Sequence, residues 1–141
     1  MAAWWRGGAK ARDRWLVLAS LREKHEQHYH RAMADFRKAA AAGSANAMFN
    51  IGVLYADGQG VPQDYAKAME WYRKGAAAGS RLAMFGIGYL YDQGQGVPQD
   101  YAKALRWMRK AEASGDPLVA ALAKMVIAKI KQAQAAQNSG Q

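Results

Sequence analysis

Residues 43–78 read GSANAMFNIGVLYADGQGVPQDYAKAMEWYRKGAAA, and residues 79–114 align with them without a gap. The two segments are identical at 24 of 36 positions, so the chain contains a repeat with a period of 36 residues. Periods of about 20–50 residues are typical of proteins that stack similar structural units. Each unit in such a stack packs mainly on its neighbours. The repeat therefore predicts a solenoid.

Each repeat is predicted to contain two helices joined by a loop. In the middle of the first unit, Gly58, Gly60 and Pro62 interrupt regular structure. Before and after this loop, apolar residues recur every three or four positions, which is the spacing of an amphipathic helix. Side chains that can accept a hydrogen bond from the first helical turn stand at the predicted helix starts: Ser44, Asp64, Ser80, Asp100 and Asp116.

The period continues beyond both complete units. Lys124 stands where the complete units have Gly52 and Gly88, and a lysine there would block a following helix. We therefore expect residues 1–27 to be a helical extension or a degenerate half-repeat, and residues 28–42 to be the second helix of a partial repeat. Residues 43–78 and 79–114 are then complete repeats, residues 115–131 a capping helix, and residues 132–141 a flexible tail.

A motif in the first unit connects the chain with a known family. It recurs from Ala83 to Lys110 and reads Ala47-x3-Ile51-Gly52-x2-Tyr55-x2-Gly58-x-Gly60-Val61-x2-Asp64-x2-Lys67-Ala68-x2-Trp71-Tyr72-x-Lys74. This motif resembles the Sel-one-like repeat (SLR) family, which is related to the tetratricopeptide repeats. The resemblance covers residues 28–131. It implies an all-α fold, a right-handed superhelix of antiparallel helix pairs. In bacteria and in eukaryotic complexes, such a superhelix serves as a protein-binding scaffold, usually without catalysis.

The segment before residue 28 departs from the repeat. Residues 22–28, where a repeat would have its glycine-rich loop, contain neither Gly nor Pro. Two alternatives stay open: one long helix over residues 9–42, or two helices sharply kinked near His25. Apolar residues of this segment are expected to form a homodimer seam or to dock on a partner, unless the segment folds back to cap the solenoid. These seam residues are Trp4, Trp5, Trp15, Leu18 and Leu21.

The resemblance also implies a binding groove. In the tetratricopeptide repeats, a ligand groove is lined by the first helices at positions that flank a small residue. Carried over to this sequence, those positions predict an aromatic and aliphatic surface suited to a peptide or a partner helix. The alternative is that Phe49 and Phe85 belong to the core. The predicted groove residues are Asn46, Phe49, Asn50, Val53, Ala56, Leu82, Phe85, Gly86, Tyr89, Asp92, Leu118, Ala121 and Met125.

Basic residues form a second predicted surface. The chain has a formal net charge of +9, and residues 1–42 contribute an excess of +5. Each second helix ends with a basic pair, which complements the helix dipole. Binding of nucleic acid is the alternative, but no aromatic residues interleave with these pairs, so we do not expect it. Stacking would place the pairs in a ridge: Arg37, Lys38, Arg73, Lys74, Arg109 and Lys110.

The sequence offers little for catalysis, a metal or a cofactor. Cysteine is absent, which excludes disulfides, thiolate metal sites and a cysteine nucleophile. His25 and His28 are candidate metal ligands, but they are three residues apart, whereas two imidazoles on one helix need a spacing of four to meet one ion. We therefore expect a protein that is not an enzyme and has no cofactor.

The remaining expectations concern location and role. No apolar run approaches the roughly 20 residues of a membrane-spanning helix. Residues 1–21 are left open as a targeting segment, although no clear cleavage site follows, and a cytoplasmic protein is favoured.

The expected function is a non-catalytic scaffold or adaptor that binds a peptide or partner helix in its groove. The alternatives are a basic nucleic-acid-binding module and an immunity-type protein that neutralises a toxin.

Overall fold

The computed structural model describes the backbone of residues 2–140 and the side chains of residues 11–140. Within residues 2–140 the chain forms six α-helices and no strand. Each helix packs on the next, and α4 also contacts α2 and α6, which confirms the predicted all-α solenoid. The helices are α1 (Ala2–Ala41), α2 (Ala45–Asp57), α3 (Tyr65–Ala77), α4 (Arg81–Gln93), α5 (Tyr101–Glu112) and α6 (Pro117–Ser139).

The five helices after α1 begin at the predicted caps. Ser80 lies just before α4, and its hydroxyl oxygen accepts a hydrogen bond from the Ala83 amide at 3.1 Å. Such a bond satisfies an amide that has no partner inside the helix. The other helices are capped in the same way by Ser44, Asp64, Asp100 and Asp116.

The core repeats with the period of the sequence. Ile51 and Ile87 are fully buried at the same repeat position. Gly52 faces the ring of Tyr72, and any Cβ at this glycine would collide with that ring. Glycine therefore lets the two helices of a repeat approach closely. Lys124 holds this position in α6 and is exposed, since α6 packs only on α4 and α5 among the helices given above.

Helix α6 is longer than the sequence predicts. We expected a flexible tail from residue 132, but α6 continues to Ser139. The additional residues are mostly Ala and Gln, both of which favour a helix. Residues 135–140 are exposed, so these turns carry no apolar spacing by which the sequence could indicate them.

Helix α1 is continuous over 40 residues, about 60 Å at 1.5 Å per residue. Of the two open alternatives, the structure has the single long helix, because residues 9–42 contain no Gly or Pro. Only its C-terminal part packs on the repeats, where Met33 and Ala40 are buried. Residues 11–28 are all exposed, and α2 is the one described helix that α1 contacts. This segment therefore does not fold back over the solenoid.

Candidate partner-binding surface

Over residues 11–140, large apolar side chains that remain exposed fall into two groups. One group lies in the projecting part of α1: Trp15, Leu16, Val17, Leu18 and Leu21. The other lies on the side of α2, α4 and α6 that faces away from α3 and α5, which we call the inner surface. Its exposed members are Leu82, Tyr89, Leu118, Leu122 and Met125. Exposed apolar side chains that share one side of a protein are typical of binding sites.

A groove of about 330 Å³ lies between α2 and α4 on the inner surface. Tyr72 of α3 reaches into it, and its ring stacks on Phe49 with 5.6 Å between the ring centroids and 24° between the planes. Gly86 leaves room for this placement, because a Cβ there would lie 3.0 Å from the Tyr72 ring, which is closer than an ordinary van der Waals contact. The other lining residues are Val53, Ala56, Asp57, Tyr65, Phe85, Tyr89, Leu90 and Gln95.

Tyr72 and Asp57 are two of the polar residues that line this groove, together with Tyr65, Tyr89 and Gln95. Tyr72 is only 6% exposed. Burial, and to a lesser extent the charge of Asp57, raises the pKa of Tyr72 to about 12. The phenol is protonated at neutral pH, as it would also be at the ordinary pKa of 10.0, and it can donate a hydrogen bond. Asp57 is exposed, so the groove combines a neutral donor and a carboxylate with apolar walls.

The structure distributes the predicted groove residues over several places. Six of them line the groove: Phe49, Val53, Ala56, Phe85, Gly86 and Tyr89. Two line a neighbouring depression of about 290 Å³: Asn46 and Leu82. Three are exposed on α6: Leu118, Ala121 and Met125. The remaining two are partly buried and line neither cavity: Asn50 and Asp92.

Six contributors to the inner surface were missed from the sequence, and two of them, Tyr65 and Leu90, line the groove beside those discussed next. Tyr72 belongs to a second helix, Asp57 ends α2, and Gln95 lies in the loop after α4, so all three fall outside the positions carried over from the tetratricopeptide repeats. Leu122 stands at the repeat position of Gly86. Only Leu122 could have been recognised from the sequence, because a large apolar residue stands there in place of the glycine at residue 86.

Both complete repeats match a known family. A family model described as the Sel1 repeat matches residues 45–80 and 81–116, about half of the chain. The chain belongs to the Sel1 repeat family. This confirms the resemblance to the Sel-one-like repeats. Members of this family are helical solenoids that generally serve as protein-interaction scaffolds and generally lack catalytic activity.

Solved bacterial structures share the Sel1 repeats. A Sel1 repeat protein from Oxalobacter formigenes is 38% identical, with a TM-score of 0.54 over 60% of this chain and 35% of that one. A protective antigen of uropathogenic Escherichia coli strains that displays an SLR fold is 42% identical, with a TM-score of 0.55 over 57% of this chain and 17% of that one. The chain thus spans well under two thirds of either relative.

A more distant structure supports the fold alone. Cysteine rich protein B of Helicobacter pylori is 23% identical, with a TM-score of 0.61 over 67% of this chain and 71% of that one. No curated protein matches the chain in sequence.

Arginines of the basic ridge connect successive Sel1 repeats. The guanidinium of Arg37 donates a hydrogen bond to the phenol oxygen of Tyr55 at 3.2 Å, and that of Arg73 donates one to Tyr91 at 2.9 Å. Each bond joins a second helix to the first helix of the following repeat. The sequence prediction of a ridge that compensates helix dipoles did not include this contact.

The lysines of the ridge lie over tryptophan rings within the Sel1 repeats. The Nζ atom of Lys74 is 4.4 Å from the ring centroid of Trp71, and that of Lys110 is 4.4 Å from the centroid of Trp107. At this distance a cation is attracted to the face of the ring. Lys38 has Asp35 at the corresponding position instead of a tryptophan.

The predicted seam residues lie outside the Sel1 repeats. Trp15 is 74% exposed, Leu18 60% and Leu21 48%. Trp4 and Trp5 fall outside the described side chains. The described part of the chain therefore does not bury Trp15, Leu18 or Leu21.

The histidines of α1 are exposed. His25 and His28 lie on the projecting part of the helix. Among the residues that the structure describes, no three His, Cys, Asp or Glu side chains come together as a metal site would require. Over the same residues, no helix combines the length and the apolar character of a membrane span.

Proposed function

We propose that the chain is a non-catalytic scaffold whose inner surface binds an apolar peptide or a partner helix. One observation carries the proposal: outside α1, every exposed large apolar side chain of residues 11–140 lies on this surface. Burying such a side chain is worth roughly 1.5–3 kcal/mol, so a partner that covers several of them gains affinity. The scaffold role that is general in the Sel1 repeat family supports the same conclusion.

The groove indicates the chemistry of the partner. Its walls are aromatic and aliphatic, and Phe49 and Tyr89 line it. Asp57 adds a carboxylate, and the Tyr72 hydroxyl adds a donor. A suitable ligand places an apolar side chain in the groove, a cationic group near Asp57 and an acceptor near Tyr72. An amphipathic helix or an extended peptide can present such a set.

Selection from a random-peptide display library tests the proposal. The full chain is the bait, and the affinity of selected peptides is measured by fluorescence polarisation. The test variant combines Tyr89→Asp with Met125→Asp, whose parent side chains are 45% and 60% exposed and can change without disturbing the core. Leu16→Asp is the matched control, because Leu16 is 65% exposed but lies in α1.

We expect peptides rich in apolar residues that also carry Lys or Arg. The double variant should bind them at least about tenfold more weakly, a loss of about 1.4 kcal/mol or more, whereas Leu16→Asp should bind them as the unmodified chain does. Selected peptides that bind the double variant and the unmodified chain equally well would overturn the proposal. Failure to select any binder would count against it as well.

A further inference from the structure

Helix α1 carries an apolar stripe along one side. At 100° per residue, its members fall within an arc of about 60° around the helix. They are spaced by three, four or seven residues, as in the seam between two paired helices. The α1 stripe consists of Leu18, Leu21, His25, Ala32, Phe36 and Ala39.

The C-terminal half of the α1 stripe is covered less completely than its counterparts, although Phe36 and Ala39 pack against the core. Ala32, Phe36 and Ala39 are partly exposed. The corresponding residues of the complete repeats are buried, because the first helix of the same hairpin lies against them. Helix α1 has no such helix, since it runs straight through residues 22–28 where a loop would be. The buried counterparts are Ala68, Tyr72, Gly75, Ala104, Met108 and Ala111.

The N-terminal half of the stripe projects beyond the repeats. Leu18 and Leu21 are 60% and 48% exposed, and no described helix other than α2 contacts α1. A depression of about 520 Å³ extends along the same side between Leu21 and Tyr29. From residue 18 to residue 39 the stripe is about 32 Å long at 1.5 Å per residue.

We propose that a second copy of the chain covers the α1 stripe, so that two α1 helices pair antiparallel in a homodimer with its two-fold axis near residue 25. In this register Leu18 of each copy lies beside Ala32 of the other, a large side chain against a small one. Arg14 of each copy comes close to Asp35 of the other. A parallel pair would instead bring the two Arg14 side chains together and the two Asp35 side chains together. The pairs Leu18 with Ala32 and Arg14 with Asp35 favour the antiparallel arrangement, in which Arg14 also lies opposite Phe36.

The charge of the projecting segment is compatible with self-association. Residues 11–28 contain four basic and three acidic side chains, although the whole chain carries +9. Arg22 and Glu26 already form an ion pair at 3.4 Å within the helix. In the antiparallel register residues 11–28 lie against residues 22–39, which contain five basic and three acidic side chains, so the facing segments carry only +1 and +2. Pairing about a two-fold axis also uses the same surface on both copies, as closed dimers do.

Light scattering of the full chain tests the dimer. We expect twice the 15.4 kDa mass of the chain. Leu18→Asp and Leu21→Asp should each give the single mass with an unchanged helical circular dichroism spectrum. Leu16→Asp is the matched control and should keep the double mass, because Leu16 lies about 140–160° around the helix from Leu18 and Leu21. A monomeric unmodified chain, or equal dissociation by Leu16→Asp and Leu18→Asp, would overturn the proposal.

Distances between spin labels test the direction of pairing. The chain has no cysteine, so Gln27→Cys and Arg12→Cys each introduce one labelling site. In the antiparallel dimer the two labels at residue 27 lie within about 25 Å, since packed helices are about 8–10 Å apart. The two labels at residue 12 lie about 40 Å apart along the axis. Short distances at both sites would show a parallel dimer and overturn this arrangement.

Discussion

The guanidinium of Arg73 donates a hydrogen bond to the phenol oxygen of Tyr91 at 2.9 Å, and this bond ties the second helix of one repeat to the first helix of the next. One repeat earlier, Arg37 and Tyr55 make the same bond. The next repeat has no counterpart, because Ile127 stands 18 residues after Arg109 where the others have tyrosine. The hydrogen bond between arginine and tyrosine thus recurs with the period of the sequence and is absent where the capping helix has Ile127.

Loss of the bond between Arg73 and Tyr91 should destabilise the solenoid. We expect Tyr91→Phe to lower the free energy of unfolding by about 1 kcal/mol, because the phenyl ring keeps its packing but loses the acceptor. Arg73→Met should cost a similar amount, and the double variant should cost less than the sum of the two. Urea unfolding measures all three. Arg109→Met is the matched control, and a loss equal to that of Arg73→Met would contradict the prediction.

The close contact at Gly52 should not tolerate a methyl group. We expect Gly52→Ala to lower the free energy of unfolding by about 1–3 kcal/mol, because the Tyr72 ring cannot move away from a Cβ without repacking. Gly88→Ala should cost less, since the atom nearest to its Cβ would be the flexible end of Met108 at 3.0 Å. Thermal or urea unfolding compares the two variants. A larger loss for Gly88→Ala than for Gly52→Ala would show that the rigidity of the Tyr72 ring does not determine the cost of the methyl group.

The raised pKa of Tyr72 should make stability depend on alkaline pH. Its pKa in the folded chain is about 12, against an ordinary value of 10.0. The stability that comes from the neutral phenol is fully present below pH 10 and is lost as the pH rises through 12. We expect the unmodified chain to lose up to about 2–3 kcal/mol more than Tyr72→Phe over this range. Urea unfolding at several pH values measures both, and parallel profiles would contradict the assignment.

The two serine caps should differ in strength. Ser80 is 4% exposed and accepts the Ala83 amide, whereas Ser44 caps α2 in a partly exposed position. We expect Ser80→Ala to cost about 1–2 kcal/mol and Ser44→Ala about 0.5–1 kcal/mol, because water can replace the lost acceptor only at Ser44. Chemical unfolding of the two variants compares these costs. Equal losses would show that burial does not affect the cap.

Most of the fold could be predicted from spacing within the chain. Ile51 recurs as Ile87, the loop glycines recur with them, and each first helix is preceded by a residue that can cap it. Helix formation and capping involve groups within about four residues of one another, so they can be recognised locally. Helix α1 was harder, because apolar spacing continues through His25 whether the segment is straight or kinked. The last turns of α6 carry no apolar spacing at all.

The candidate site was only partly predictable. Phe49 and Tyr89 lie on first helices, at positions that the family resemblance indicates, and they line the groove. Tyr72 and Asp57 could not be assigned to it from the sequence, because they come from different parts of the hairpin. The place of the Tyr72 ring beside Gly86 depends on the packing of α3 against α4.

The sequence by itself therefore determined the repeat, the helical hairpins and their caps. Only the tertiary structure decided that Tyr72 enters the groove, that Arg73 reaches Tyr91 and that α1 is continuous and carries a partly uncovered stripe. The physical reason is the distance along the chain between the groups that determine each feature. A helix is stabilised by groups a few residues apart, whereas a groove or a bond between repeats depends on the distance between helices, which the packing of their side chains sets.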